Sequence, residues 1–218
     1  MKNKSTLQTI FFSELFLWDV TRFNIINKFK NENFLKDILN LYKILISKTE
    51  LIQNDWKIIY KISHQGELFF RYKEQISTYK GRLYKVLPNS IIYSKMGVKH
   101  GGIYYHGAQQ LPFAVSAEYP TFTFLPNKIN GEYLTLVFRS SQIKKLLNTK
   151  LSGSSRRRVQ VDEFLNIQIP LPPLEEQNKI VESYNKGLLL KKEADQAIEK
   201  AKQEVENLLL KNKKSDHF

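Results

Sequence analysis

The stretch "IQIPLPPLEEQNKIVESY", residues 167–184, changes its period halfway along. Leu165, Ile167, Ile169 and Leu171 alternate with other residues, as one face of a half-buried strand does. Pro170, Pro172 and Pro173 lack the N–H that a ladder needs, so the strand ends among them. Proline suits a first helical turn, and Glu175 and Glu176 suit the positive end of a helix dipole. The stretch is a rigid corner from strand into helix. It divides the chain into two parts of different character.

After the corner, residues 174–212 contain no proline, a single glycine (Gly187), and much Glu, Lys, Leu and Ala. Ile180, Tyr184, Gly187, Lys191, Ala194, Ile198, Ala201, Val205 and Leu208 step alternately by four and three, a heptad seam. Lys191 and Gly187 weaken the middle of that seam, while Val181, Leu188 and Leu189 widen it. A helix of ~38 residues spans roughly 57 Å, more than a domain built from the rest of the chain can cover. The spacing predicts a long spacer helix that pairs as an antiparallel coiled coil. Ile180, Tyr184, Ala194, Ile198, Ala201, Val205 and Leu208 form its interface. The alternative is a helix folded back on its own domain. The expected class is α+β: a mixed α/β domain over 1–173, a helix over 174–212 and a disordered tail at 213–218.

Charge separates the same two parts. The chain of 218 residues carries a formal net charge of +13. Residues 174–218 hold nine lysines against nine acids, so they are neutral. The remaining 25 of the 34 Lys and Arg face 12 of the 21 Asp and Glu, all within 1–173. A lopsided excess of this kind suits a polyanion such as double-stranded DNA. The absence of cysteine excludes disulfides and thiolate metal sites and fits a reducing cytoplasm. No apolar run reaches the ~18 residues of a membrane span. The start, "MKNKSTLQTIFFSELFLWDV", is interrupted by Glu14 and Asp19, so it reads as a first element of the fold and not as a signal peptide.

Before the corner, "FLKDILNLYKIL" (34–45) has helical spacing. "WKIIYKIS" (56–63), "LYKVLPNSIIYSK" (83–95), "TFTFLP" (121–126) and "YLTLVFRS" (133–140) are rich in β-branched and aromatic residues and suit strands or short helices. "SQIKKLLNT" (141–149) reads as a short helix, and "KHGG" (99–102), "NKING" (127–131) and "SGSS" (152–155) as turns or loops. No internal repeat is present.

Basic and aromatic residues interleave most densely over 57–100, which holds nine Lys and Arg. Arg71, Lys73, Tyr79, Lys80, Arg82 and Lys85 fall in or beside loop-like sequence and suit phosphate contacts, which hold register without reading bases. Base readout needs forked or bidentate groups. Arg82, Lys99, His100, Gln109 and Gln110 sit near glycines that allow close backbone approach. Arg156, Arg157 and Arg158 form a separate cluster, suited equally to phosphate and to an acidic protein partner. The sequence lacks a G-x-G-x-x-G, a P-loop, an Asn/Asp-Pro-Pro-aromatic motif and a Glu-x-Lys pair, so neither methyl transfer nor DNA cleavage is expected of it. No metal site is expected: His100 and His106 lie in a glycine-rich region that favours a loop or base-contacting role.

"GSSRRRVQVDEFLNIQIPLPPLEEQNKIV" (153–181) closely resembles the end of a target recognition domain in the specificity subunit of Type I restriction-modification enzymes. In that family a Gly-Ser/Thr loop, a short helix, an "I-P-L-P" strand and "P-L-x-E-Q-x-x-I" opening a long helix occur in this order. "SIIYSKMGVKHGGIYYH" (90–106), "AVSAEYPTFTF" (114–124) and "INGEYLTLVFRS" (129–140) are similar to further family segments. Family members usually carry two recognition domains and two long helices. One of each here implies a half-subunit, whether from a natural split gene or as a fragment of a longer chain, which forms a homodimer or pairs with a second half-subunit.

The resemblance implies a non-catalytic subunit that reads half of a bipartite DNA site. It docks a methyltransferase (modification) subunit and, through it, a restriction subunit. The chain itself needs no cofactor on this reading, and S-adenosylmethionine is expected on the methyltransferase partner. Two alternatives remain open: a specificity module for a fused Type II restriction-methyltransferase, and a stand-alone dimeric DNA-binding regulator or decoy.

Overall fold

A computed structural model describes residues 32–71, 73–150 and 158–215. Its elements run β1 (Glu32–Phe34), β2 (Leu39–Tyr42), β3 (Leu45–Ile46), α1 (Lys48–Gln53), β4 (Ile59–Ile62), β5 (Leu68–Phe70), α2 (Lys73–Thr78), β6 (Leu83–Val86) and β7 (Ser90–Tyr93). They continue β8 (Ile103–His106), β9 (Phe113–Ser116), β10 (Thr121–Phe124), α3 (Gly131–Arg139), α4 (Ser141–Lys150), α5 (Val161–Leu165), β11 (Gln168–Pro170) and α6 (Leu174–Ser215). The architecture is α+β: a sheet-rich domain followed by one long helix. The chain divides into two compact units, Met1–Pro173 and Leu174–Phe218. The reading of residues 1–31 as an ordinary first element lies outside the described residues.

In the first unit, three segments cross from one sheet to another: β2 into β3, β6 into β7, and β9 into β10. One sheet has the order β2-β10-β7-β8 and the other β3-β6-β9. Each crossing segment is therefore hydrogen-bonded to both of the others, and the pairing is cyclic. All the strand pairs within the sheets are antiparallel, with Tyr42 opposite Thr121, Ile92 opposite Thr121 and Leu83 opposite Ser116. β7, the strand of the "SIIY" motif, is buried at every position, as a strand covered on both faces must be. The two-stranded β4–β5 hairpin joins this body through a bridge between Ile58 and Ala114.

Helical spacing over 34–45 does not give a helix. The segment folds as β1, a 3-10 turn at Leu35–Asp37, β2 and β3. Leu35, Ile38 and Leu39 all reach the core, which reproduces a helical interval by way of a tight turn. Full register along β10 then holds Leu39–Tyr42 extended. Tertiary pairing overrides the local pattern.

The core beside the corner is aromatic. Phe164 lies 3.9 Å from Tyr93 in a stacked arrangement and 5.5 Å from both Phe122 and Phe138. These rings, the largest fully buried side chains, tie α5 to β7, β10 and α3. The Tyr93 hydroxyl donates to the Val159 carbonyl at 3.1 Å, and burial raises its pKa above the usual phenol range. α3 begins where Asn130 Oδ1 accepts from the N–H groups of Glu132 (2.8 Å) and Tyr133 (3.2 Å), an N-cap. Gly131 is required there because a Cβ would fall 2.4 Å from the Tyr105 ring. The Tyr133 hydroxyl donates to the Pro170 carbonyl, so α3 also anchors β11, which pairs with β1.

The second unit is a helix of 42 residues. It runs to Ser215, three residues past the boundary read from the sequence, and positions 216–218 lie outside the described residues. Glu175–Lys179 and Glu199–Lys202 ion pairs brace its surface at 2.6 and 3.5 Å. Every described residue from 182 to 209 is exposed, and Ile198, Val205 and Leu208 are 56%, 57% and 62% exposed. No described helix is long and apolar enough to cross a membrane.

Candidate nucleic-acid interface

Cations lie on aromatic faces along one part of the domain. The Arg71 guanidinium sits 5.1 Å from the centre of the Tyr79 ring, and Lys85 Nζ sits 4.4 Å from that of Trp56. Lys57 and Lys61 sit over Phe70 and Phe69 at 5.4 and 5.3 Å. Such contacts contribute about 0.5–1 kcal/mol each at exposed sites, and they hold long cationic stems in place. Tyr79 and Trp56 are fixed from beneath by Ile46, Leu51, Ile58, Ile76, Leu83 and Ala114. The backbone of Arg71 is held where its N–H donates to the Ile58 carbonyl at 2.8 Å, while its side-chain Nε is buried with no hydrogen-bond partner. Tyr119 lies close by, its hydroxyl donating to the Tyr60 carbonyl. Burial raises its pKa, and the Arg71 charge opposes that rise.

A second group forms around two turns. In the first, Gly102 N–H donates to the Gly97 carbonyl and Ser94 N–H to the Gly102 carbonyl, at 2.9 and 2.8 Å. Gly101 has φ +96, and any Cβ there would meet the His64 carbonyl at 2.8 Å, so the position needs glycine on both counts. This winding turns Lys99 inward, only 4% exposed, and leaves His100 exposed. The His100 ring lies 5.0 Å from that of His64, which sits at the tip of the β4–β5 hairpin. Burial of one side of His64 lowers its pKa below 6.5, and the charges of His100, Lys144 and Lys61 lower it further.

In the second turn, 107–112, Gln110 Oε1 accepts from the Tyr104 hydroxyl (2.9 Å) and from Gly107 N–H (3.1 Å), and pairs with His106 Nδ1 (2.9 Å). An amide oxygen only accepts, so this contact puts the proton on Nδ1. His106 is buried against Phe113, with ring centres 4.7 Å apart, and its pKa is lowered by burial. A cleft of about 200 Å³ lies next to this turn, lined by Tyr104, Tyr105, Gly107, Gln110, Thr135 and Arg139 among others.

The residues singled out in the sequence thus separate into groups. Arg71 and Tyr79 meet, Lys80 and Arg82 lie exposed beside them, and Lys85 joins through Trp56. Lys73 lies on α2. Gln109 is exposed in the turn that Gln110 organises, and His100 lies on the neighbouring glycine turn. Lys99 is withdrawn from the surface. Arg158 is not free, because its Nε donates to Glu118 at 2.8 Å; Arg156 and Arg157 lie outside the described residues. His64 and Lys144 were not anticipated as site residues. They reach the group only through tertiary folding, and nothing in the local sequence marks them. Among the described residues, no cluster of His, Asp or Glu is arranged to hold a metal ion.

Residues 26–206 match the family described as "Type I restriction modification DNA specificity domain". Over 95 residues the chain is 37% identical to the Type I restriction enzyme MjaVIII specificity subunit of Methanocaldococcus jannaschii, a match covering 42% of this chain and 22% of that protein. Its fold is similar to the crystal structure of the HsdS subunit from Thermoanaerobacter tengcongensis, with TM-score 0.59 and 18% identity over 82% of this chain and 47% of that one. It is also similar to a chain solved in work on complex assembly and conformational transition of the type I R-M system, with TM-score 0.51 and 13% identity over 90% and 49%. The chain spans about half the length of these solved relatives. With the family matched over most of its length, this chain belongs to the Type I restriction-modification DNA specificity domain family.

Proposed function

We propose that this chain is a non-catalytic half-subunit of a Type I restriction-modification enzyme. Its α+β unit reads one half of a bipartite DNA site. Its helix pairs antiparallel with the helix of a second copy, or of a different half-subunit, and offers a docking surface to a methyltransferase subunit. That partner supplies S-adenosylmethionine and flips the target base, and through it the restriction subunit is recruited. The observation that carries this reading is the division of labour in the family-matched chain. A domain holding the whole +13 excess precedes a neutral helix whose apolar stripe is bare from 182 to 209.

Co-purification with a Type I methyltransferase from the same cells, followed by methylome sequencing, tests it. A bound methyltransferase and a new adenine-methylated bipartite motif are expected. No associated methyltransferase and no methylation would leave only the dimeric regulator reading.

A further inference from the structure

Four elements converge at Gly101. A Cβ there would meet the His64 carbonyl at 2.8 Å, the Arg139 stem at 3.1 Å and the Lys144 stem at 3.3 Å. Above this contact His64 and His100 lie ring against ring, 5.0 Å apart. The charges that His64 feels come from His100 on its turn, Lys144 on α4 and Lys61 on β4, and all of them act in one direction. Glu67 lies in the same hairpin but is not among them. Among the described residues no carboxylate is ion-paired with His64, His100, Lys61 or Lys144. Two imidazoles beside the Lys144 stem, with no acid paired to them, leave a concentrated positive patch at the surface, where His64 and His100 are exposed and Lys144 half-buried, which is the condition for holding an anion.

We propose that His64, His100 and Lys144 form a proton-coupled site for one backbone phosphate of duplex DNA. It rests on the DNA-reading function proposed above and deepens it. Without DNA, partial burial and then the neighbouring positive charges lower the His64 pKa and favour its neutral form. A phosphate placed among these groups reverses that balance, and an imidazole takes up a proton as the complex forms. Affinity therefore rises as pH falls, in the range between the histidine pKa of the free protein, below 6.5, and the higher value in the complex. The Lys144 ammonium keeps its charge throughout this range. Phosphate contacts do not read bases, so the effect should be the same on specific and non-specific sequence.

The test measures binding of the full chain to a mixed-sequence duplex at pH 5.5, 6.5 and 7.5 at one salt concentration. In parallel, the histidine resonances are titrated with inorganic pyrophosphate. Wild type should bind about tenfold more tightly at pH 5.5 than at 7.5, the effect of a shift of about one pKa unit. The double variant His64→Gln/His100→Gln should bind with little dependence on pH. Lys144→Gln should weaken binding at pH 7.5 and flatten the slope in part, because His64 loses one of the charges that lower its pKa in the free protein. Equal slopes in wild type and double variant would overturn the proposal and leave the DNA-reading function standing. No DNA binding at any pH, with pyrophosphate raising the histidine pKa, would overturn DNA as the ligand while keeping an anion site. No response to either probe would overturn both.

Discussion

Phe164 is the residue on which the corner rests. It is fully buried and touches three other rings, so Phe164→Ala should cost about 3–5 kcal/mol, read as a lower urea midpoint for the whole recognition domain. His106 provides a second residue-level prediction. Its folded pKa lies below 6.5, so below that pH the unfolded chain holds a proton that the fold refuses. Its contribution to stability is complete above about pH 6.5 and falls as pH drops toward the folded value. Urea midpoints at pH 7.5 and 5.0 should therefore differ more for wild type than for His106→Gln. At this scale the sequence is legible where one residue's type determines its role, as with the corner prolines. It is opaque where the role depends on what the fold delivers. Gln110 reads as a base-contacting fork but spends its carbonyl oxygen organising its own turn. Lys99 reads as exposed because lysine usually is, yet the glycine turn winds it inward.

At the scale of elements, the corner and the long helix were legible through proline and a proline-free heptad run; the alternation marked the strand too, but that strand is only Gln168–Pro170, and Leu165, read into it, closes α5. "FLKDILNLYKIL" was not, since the pairing that makes Leu39–Tyr42 a strand lies some eighty positions away on β10. The "YLTLVFRS" segment, open to strand or helix in sequence, became α3 because Asn130 and Gly131 start a helix there. The stripe on α6 supports a test of pairing. Ile198 and Val205 are 56% and 57% exposed, so Ile198→Asp/Val205→Asp should leave the thermal midpoint of the recognition domain unchanged while converting dimers to monomers. Sedimentation equilibrium reads the second effect. An unchanged mass after the double substitution would show that the helix does not pair through this seam.

For the whole molecule, the separation of charge from the apolar stripe predicts a bipartite readout. A homodimer related by a two-fold axis should recognise two identical inverted half-sites around a spacer of fixed length. Inserting one heptad after Ala201 lengthens each helix by about 10 Å, worth roughly three base pairs of 3.4 Å rise. Methylome mapping of the insertion variant should show an altered spacer between unchanged half-sites. A non-palindromic motif in wild type would instead mean that a different half-subunit completes the dimer. Charge bookkeeping alone suggests a polyanion partner, but it says nothing of where the groups of the proposed phosphate site lie. His64, His100 and Lys144 are spread over eighty positions, on the tip of the β4–β5 hairpin, the glycine turn and α4, and tertiary folding brings them together at Gly101.

The pairing of β1 with β11 sets an order of events during synthesis. Glu32–Phe34 cannot close against Gln168–Pro170 until residue 170 has left the ribosome. The 42 residues of α6 come directly behind, and at about 1.5 Å each they span roughly 63 Å as a helix. While the domain closes its last strand pair, much of α6 is still within the exit tunnel. If the stripe pairs as proposed, this order of synthesis keeps it sheltered until the β1–β11 pair has closed. A chain built in the opposite order would expose that stripe beside an unfinished sheet, where aggregation competes with folding.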